Sequence, residues 1–197
     1  MPLGAFKAAL MGTAGASTEG DVVLLNTATA SGSSELAFTS GLDSTYGEYI
    51  FKFYNIHPSA DGPYFGFQVN ASGESGYNET ITSTFFYAYH NEAGDSTNFT
   101  YGTSWDQAQG TGTQYISSDC DNDADSSLSG ELHIFNPSST TYVKHFNART
   151  KYVYNAATTY DAFTGGYVNT TGAITQVQFK FGTGNIDTGT LKMWGVK

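Results

Sequence analysis

The sequence predicts an all-β protein, an antiparallel sandwich or barrel of about ten strands. Three observations predict it. The 197 residues include 14 Tyr and 14 Phe, while charged residues make up only 13%. Aromatic and β-branched residues favour strands, and the abundant Gly, Asn and Asp favour the turns between them. From Asp21 onward apolar residues recur with period two, with no long helical pattern among them. The length fits one domain, long enough to bury a sizeable core.

Residues 1–20 read as an arm. Leu3, Phe6 and Leu10 fall at i, i+3 and i+7, with Ala5, Ala8 and Ala9 between them. That spacing predicts a short helical segment with one apolar stripe, ended by Gly12 and Gly15. The residues that follow read as a single domain, 21–197. Its first strands are expected at Val22–Asn26 and Glu35–Thr39. In "EYIFKFYNI", Tyr49, Phe51 and Phe53 share one face, and Glu48 and Lys52 the other. Tyr64–Ala71 and Thr82–His90 follow. "LHIFNPSSTTYVKHF" predicts a hairpin of Gly130–Asn136 and Thr141–Arg149. Its turn is at Asn136–Pro137, since Pro presets the second position of a type I turn. Tyr154–Phe163 comes next. "AITQVQFKFG" is the clearest strand, with Thr175, Val177, Phe179 and Phe181 on one side and Gln176, Gln178 and Lys180 on the other. Gly184, Asn185 and Gly189 predict a tight connection into the strand Gly189–Val196. There Leu191 and Met193 alternate with Lys192 and Trp194.

Charge removes several classes of partner. The formal net charge is -10, and the eight Lys and Arg are scattered. A nucleic-acid binder needs a basic stripe to displace counterions, and none is present. An anionic membrane surface is disfavoured for the same reason, and no stretch approaches the ~20 apolar residues that span a bilayer. The single cysteine, Cys120, excludes an intramolecular disulfide. It lies among acidic residues in a polar loop, and the expectation is an inert surface thiol. The opening stretch "MPLGAFKAALMGTAGAST" reads poorly as a signal peptide, because Lys7 interrupts a short apolar core. It reads better as a peptide that inserts Leu3, Phe6 and Leu10 into a neighbouring subunit.

The acidic loop "SSDCDNDADSS" alternates Asp119, Asp121, Asp123 and Asp125. Hard cations such as calcium take six to eight oxygen ligands. An EF-hand counted from Asp119 would need Gly and Glu where Ala124 and Gly130 stand, so that reading fails. A solvated acidic loop is expected, with a calcium site of another type as the alternative; no other cofactor is implied. His57, His90, His133 and His145 have no metal-ligand spacing, although the hairpin could bring His133 and His145 near each other. No nucleophile elbow, P-loop or dinucleotide fingerprint is present. Glu74, Glu79, Glu92 and Glu131 give no pair that the sequence can place for glycoside hydrolysis. The stretch "NFTYGTSWDQAQGTGTQY" (98–115) combines aromatics with Gly, Ser and Asn, as adaptable binding surfaces do. Tyr101, Trp105 and Tyr115 are candidates to contact a glycan or a partner, or to fold back onto the sandwich.

Two stretches carry a family likeness. "SGELHIFNPSSTTYVKHF" (129–146) and "VQFKFGTGNIDTGTLKMWGVK" (177–197) resemble recurrent segments of small virion structural proteins of tailed, especially marine, bacteriophages. The closing pattern is an aromatic, Gly-Asn-Ile, Gly-Thr, then an aliphatic-Lys-aliphatic-aromatic-Gly-aliphatic strand. Here it is Phe181, Gly184-Asn185-Ile186, Gly189-Thr190 and Leu191 to Val196, with Trp194 where the family often has Tyr. "AYHNEAGD" (88–95), "WDQAQGTG" (105–112) and the start, Met1 to Gly15, are similar to the same group. The resemblance implies a jelly-roll-like sandwich and a non-enzymatic virion protein, assembled in the host cytoplasm. It would be a tail-associated fibre or adhesin subunit held by its N-terminal arm, or a capsid decoration protein on the head. By analogy with phage jelly rolls it would be a homo-oligomer, a trimer. Its partners would be other virion proteins and a host surface glycan. The family supplies no catalytic residues. The competing expectations are a carbohydrate-active enzyme and a cellular lectin-like module.

Overall fold

A computed structural model describes residues 21–154 and 157–197; the expected docking arm, with Leu3, Phe6 and Leu10, lies outside these residues. The described residues contain no helix and thirteen strands. These are β1 (Val22–Ser33), β2 (Leu36–Phe38), β3 (Glu48–Pro58), β4 (Phe65–Ala71), β5 (Ile81–Asn91), β6 (Thr97–Tyr101), β7 (Ala108–Gly110), β8 (Gln114–Tyr115), β9 (Leu128–Phe135), β10 (Lys144–Tyr154), β11 (Thr158–Val168), β12 (Ile174–Phe181) and β13 (Ile186–Val196). They form a β-sandwich. A nine-stranded sheet runs in the order β1-β13-β3-β9-β10-β11-β5-β6, with β7 also on β5; a four-stranded sheet runs β2-β12-β4-β8. Every pairing is antiparallel.

The core lies between the sheets and is built by alternation. Tyr49, Phe51 and Phe53 of β3 are fully buried, as are Val177 and Phe179 of β12. Phe179 is its centre. Its ring lies 5.3 Å from those of Phe51 and Phe53, 6.2 Å from Phe65, 6.3 Å from Phe38 and 6.4 Å from Phe67. Such offset and edge contacts add to the apolar area that each ring removes from water. A register shift between Ile174 and Gln176 turns Ile174 inward as well.

Each of the ten expected strands overlaps an observed one, but the expected Tyr154–Phe163 begins on the last residue of β10 and otherwise falls on β11, and Thr141–Arg149 is observed from Lys144 on. The hairpin pairs Phe146 with Ile134 and Asn147 with His133, and its turn is closed by the Ser139 N–H donating to the Asn136 carbonyl at 3.0 Å. The other three strands, β6 to β8, fall in the stretch expected to be a loop. Two expectations need correcting. Gly189 is not in the β12–β13 connection. It sits within β13 at φ +129°, beside a register shift opposite β3, where a Cβ would lie 2.7 Å from the Asn55 carbonyl. Only glycine tolerates both constraints.

The second correction is Cys120. It is a buried residue, not a surface thiol. Its N–H donates to the Pro63 carbonyl and its carbonyl accepts from Gly62 N–H, both at 3.0 Å, which folds the polar loop inward. Burial pushes the thiol up to about 12, with the Asp119 charge acting in the same direction. The expected result is no reaction with a soluble disulfide reagent at mildly alkaline pH until urea unfolds the chain. Rapid labelling of the native protein would contradict this burial.

The small sheet covers only part of the large one. Along β5 the inward residues Ile81, Ser83 and Phe85 are buried, but Tyr87 and Tyr89 on the same face are half-exposed. The covered floor therefore ends between Phe85 and Tyr87.

Candidate functional site

At that boundary the inward aromatics change from phenylalanine to tyrosine. The aromatics buried between the two sheets include Phe51, Phe53, Phe65, Phe67, Phe146 and Phe179. Beyond the boundary stand Tyr87 and Tyr89 of β5, Tyr154 of β10 and Tyr160 of β11, with Tyr64 and Tyr115 at the small sheet's edge. Tyr suits a place where the ring is packed and its hydroxyl is wet.

The rings form one continuous run. Tyr115 meets Tyr64 at 5.2 Å, and Tyr64 meets Trp105 at 6.0 Å. Trp105 meets Tyr87 at 5.8 Å and is seated on Phe85 at 5.5 Å. Tyr87 stacks on Tyr160 at 5.2 Å, and Tyr160 touches Tyr89, Tyr152 and Tyr154 at 5.2, 5.5 and 4.7 Å. Strand register produces this cluster: Tyr160 faces Tyr89 across β5–β11 and Tyr152 across β10–β11.

The polar atoms divide into two kinds. Tyr152 is buried, and its hydroxyl is fixed by Ser118, accepting from the backbone N–H at 2.9 Å and bonding the side-chain hydroxyl at 2.7 Å. Among the described residues, the hydroxyls of Tyr64, Tyr87, Tyr89, Tyr115, Tyr154 and Tyr160 have no hydrogen-bond partner in the protein. The Asp119 carboxylate beside them raises the Tyr64 hydroxyl pKa, helped by burial. For Tyr87 and Tyr160, burial is the larger cause and Asp119 contributes. The raised hydroxyls of Tyr64, Tyr87 and Tyr160 are protonated at neutral pH and able to donate.

The expected contact residues are split. Trp105 and Tyr115 join the run. Tyr101 does not: it is in register with Phe86, on the opposite face of the large sheet, and its hydroxyl donates to Asp106 Oδ2 at 2.6 Å. Tyr64, Tyr87, Tyr89, Tyr154 and Tyr160 were not among the candidates. The signal for two of them is "FFYAYH", where the inward row changes from Phe85 to Tyr87 and Tyr89.

The four aspartates are also divided. Asp119 faces the tyrosines. Asp121 turns inward, where Oδ1 accepts from Asp123 N–H at 3.1 Å and Oδ2 from the Ser126 hydroxyl at 3.2 Å. Asp123 and Asp125 are exposed. Among the described residues, no group of three or more His, Cys, Asp or Glu converges closely enough to hold a metal ion. The loop is instead organised by hydrogen bonds. His133 and His145 do not meet: His133 lies 2.5 Å from Glu48 and 3.4 Å from Glu131, and His145 packs near Tyr167. His57 Nε2 lies 3.2 Å from the Asp123 carbonyl, and His90 Nδ1 lies 2.7 Å from that of Asn91.

The outer face of the large sheet has a different character. Lys52, Arg149, Lys151 and Lys192 project from it, half of the eight basic residues of the chain. Arg149 makes a two-pronged contact with Asp161 and lies 4.7 Å from the centre of the Phe163 ring. Hydrogen bonding from Arg149 holds the Asp161 carboxyl below its usual range. These cations, three of them paired with Glu131 or Asp161, therefore lie on one face of the sheet, and the tyrosines with Asp119 on the other.

No protein-family model and no curated protein matches the chain.

Proposed function

We propose that the chain is a non-enzymatic structural protein of a tailed-bacteriophage virion, a jelly-roll-type subunit displayed on the particle as a tail-associated fibre or adhesin. The virion assignment rests on the likeness of residues 129–146 and 177–197 to phage structural proteins. The recognition role rests on one observation: a run of tyrosines with unpartnered hydroxyls at the open edge of a rigid sandwich. Binding residues carried on strands are held more precisely than those on loops. The subunit would dock through Leu3, Phe6 and Leu10 and act within a closed homo-oligomer, a trimer by analogy with phage jelly rolls.

Gold-labelled antibody on intact virions tests the assignment. Label on the tail is the expected result. Label on the head instead would make the protein a capsid decoration subunit, and label on neither would overturn the virion reading. Deleting residues 1–15 is expected to leave a folded sandwich that no longer incorporates into particles.

A further inference from the structure

The tyrosine run has the chemistry of a site for a ligand that is apolar on its ring faces and rich in hydroxyls at its rim. Trp105, packed against Phe85, gives the run a fixed apolar floor. Six tyrosine hydroxyls without protein partners supply donors and acceptors along its length. A site whose polar groups lack internal partners recovers their hydrogen bonds from water or from a polyhydroxylated ligand. The Asp119 carboxylate adds an acceptor that suits paired sugar hydroxyls.

Charge narrows the ligand class. Asp119 lies at the tyrosines, and Asp121, Asp123, Asp125 and Glu92 line a depression in the adjoining loop region. The cations Lys52, Arg149, Lys151 and Lys192 lie on the other face of the same sheet. A uronate, sialate or sulfate brought to the tyrosines would meet negative charge with no compensating base among the described residues. Like-charge juxtaposition of this kind excludes partners more effectively than attraction selects them.

We infer that the tyrosine face running from the β8 edge across the inner sides of β5 and β11 binds a segment of neutral polysaccharide. Its pyranose rings pack against Trp105 and the tyrosine rings, and its hydroxyls bond the tyrosine hydroxyls and Asp119. This inference rests on the recognition role proposed above and names its ligand class.

The test uses the full chain on an array of neutral and uronate-bearing oligosaccharides, followed by titration of the best neutral binder. Binding to neutral glucan, mannan or galactan oligomers is expected, with hexagalacturonate bound weakly or not at all. Tyr87→Phe and Tyr89→Phe keep the rings and remove one hydroxyl each. Each is expected to weaken binding roughly fivefold, the scale of a single neutral hydrogen bond. Asp119→Asn should weaken neutral binding and narrow the gap to the uronate. Lys151→Gln, on the outer face, should change neither. Tighter binding of hexagalacturonate than of every neutral oligomer, no binding to any neutral oligomer, or neutral binding unmoved by all three of Tyr87→Phe, Tyr89→Phe and Asp119→Asn would overturn the inference. Its failure is separable from that of the virion reading. Labelled virions without sugar binding would sink this inference alone, and sugar binding without virion label would sink only the assignment to the particle.

Discussion

Phe179→Ala is expected to cost about 3–5 kcal/mol of folding stability, the range for truncating a large aromatic in a closed core. Phe179 sits on β12 between β2 and β4, with no exposed surface, and its ring touches five other phenylalanines. Those five come from β2, β3 and β4, so the void would open between both sheets. Neighbours fixed by strand pairing have little freedom to collapse into it. Urea unfolding followed by tryptophan fluorescence would measure the loss as a lower midpoint at an unchanged slope. A cost below about 1.5 kcal/mol, the size expected of a well-tolerated apolar swap, would mean that the centre of the core lies elsewhere.

Gly130→Ala is expected to be nearly as damaging for the opposite reason. Gly130 lies on β9 between β3 and β10, opposite Phe53 and Thr150. A Cβ there would fall 2.3 Å from the Arg149 carbonyl oxygen and 2.8 Å from the Thr150 Cα. Both atoms are backbone of a strand paired on each side, so the clash cannot be relieved by turning a side chain. Overpacking typically costs about 1–3 kcal/mol, and this site belongs at the upper end. Gly112 is the matched control: a Cβ there meets nothing within 4 Å. Gly112→Ala should stay within about 0.5 kcal/mol of the parent, as surface changes usually do. Equal melting temperatures for the two variants would contradict the strand packing around β9.

The readable parts of the fold were those in which one face is dry and the other wet. Tyr49, Phe51 and Phe53, and Val177, Phe179 and Phe181, alternate with polar neighbours, and period two places them inward. Strands without that contrast were hidden. In β6, Thr97–Tyr101 is almost wholly exposed at the sheet edge, held by backbone pairing and by Phe99 against Phe86. In β8, Gln114 is fully buried yet polar. It accepts from the Ser83 hydroxyl at 2.6 Å and donates to the carbonyls of Trp105 and Tyr115. Lys144 is a similar case: it has no exposed surface, and its ammonium donates to the Thr170 carbonyl at 3.1 Å. Such residues read as solvent-facing until their distant partners are known.

The candidate site was legible in its residue types but not in its membership. Trp105 and Tyr115 stood out because they interrupt a polar stretch. Tyr87, Tyr89 and Tyr154 looked like ordinary strand residues, because what separates them from core is where the second sheet ends. That boundary depends on four strands covering part of nine, which no local pattern encodes. Cys120 was misplaced for a related reason: its polar flanks hide the bonds that hold it against Pro63 and Gly62.

The position of β13 has a kinetic consequence. It lies between β1 and β3, pairing Val196 with Val22 on one side and with Glu48 on the other. Neither neighbour can complete its hydrogen bonding until β13, which follows the other twelve described strands, arrives. The small sheet waits in the same way, since β12 joins β2 to β4. Pairings of such sequence separation close late and slowly, because loop entropy is lost before the contacts repay it. On the ribosome, β1 and β3 therefore wait with unpaired edges exposed to other chains, and the sandwich closes only after β13 has emerged.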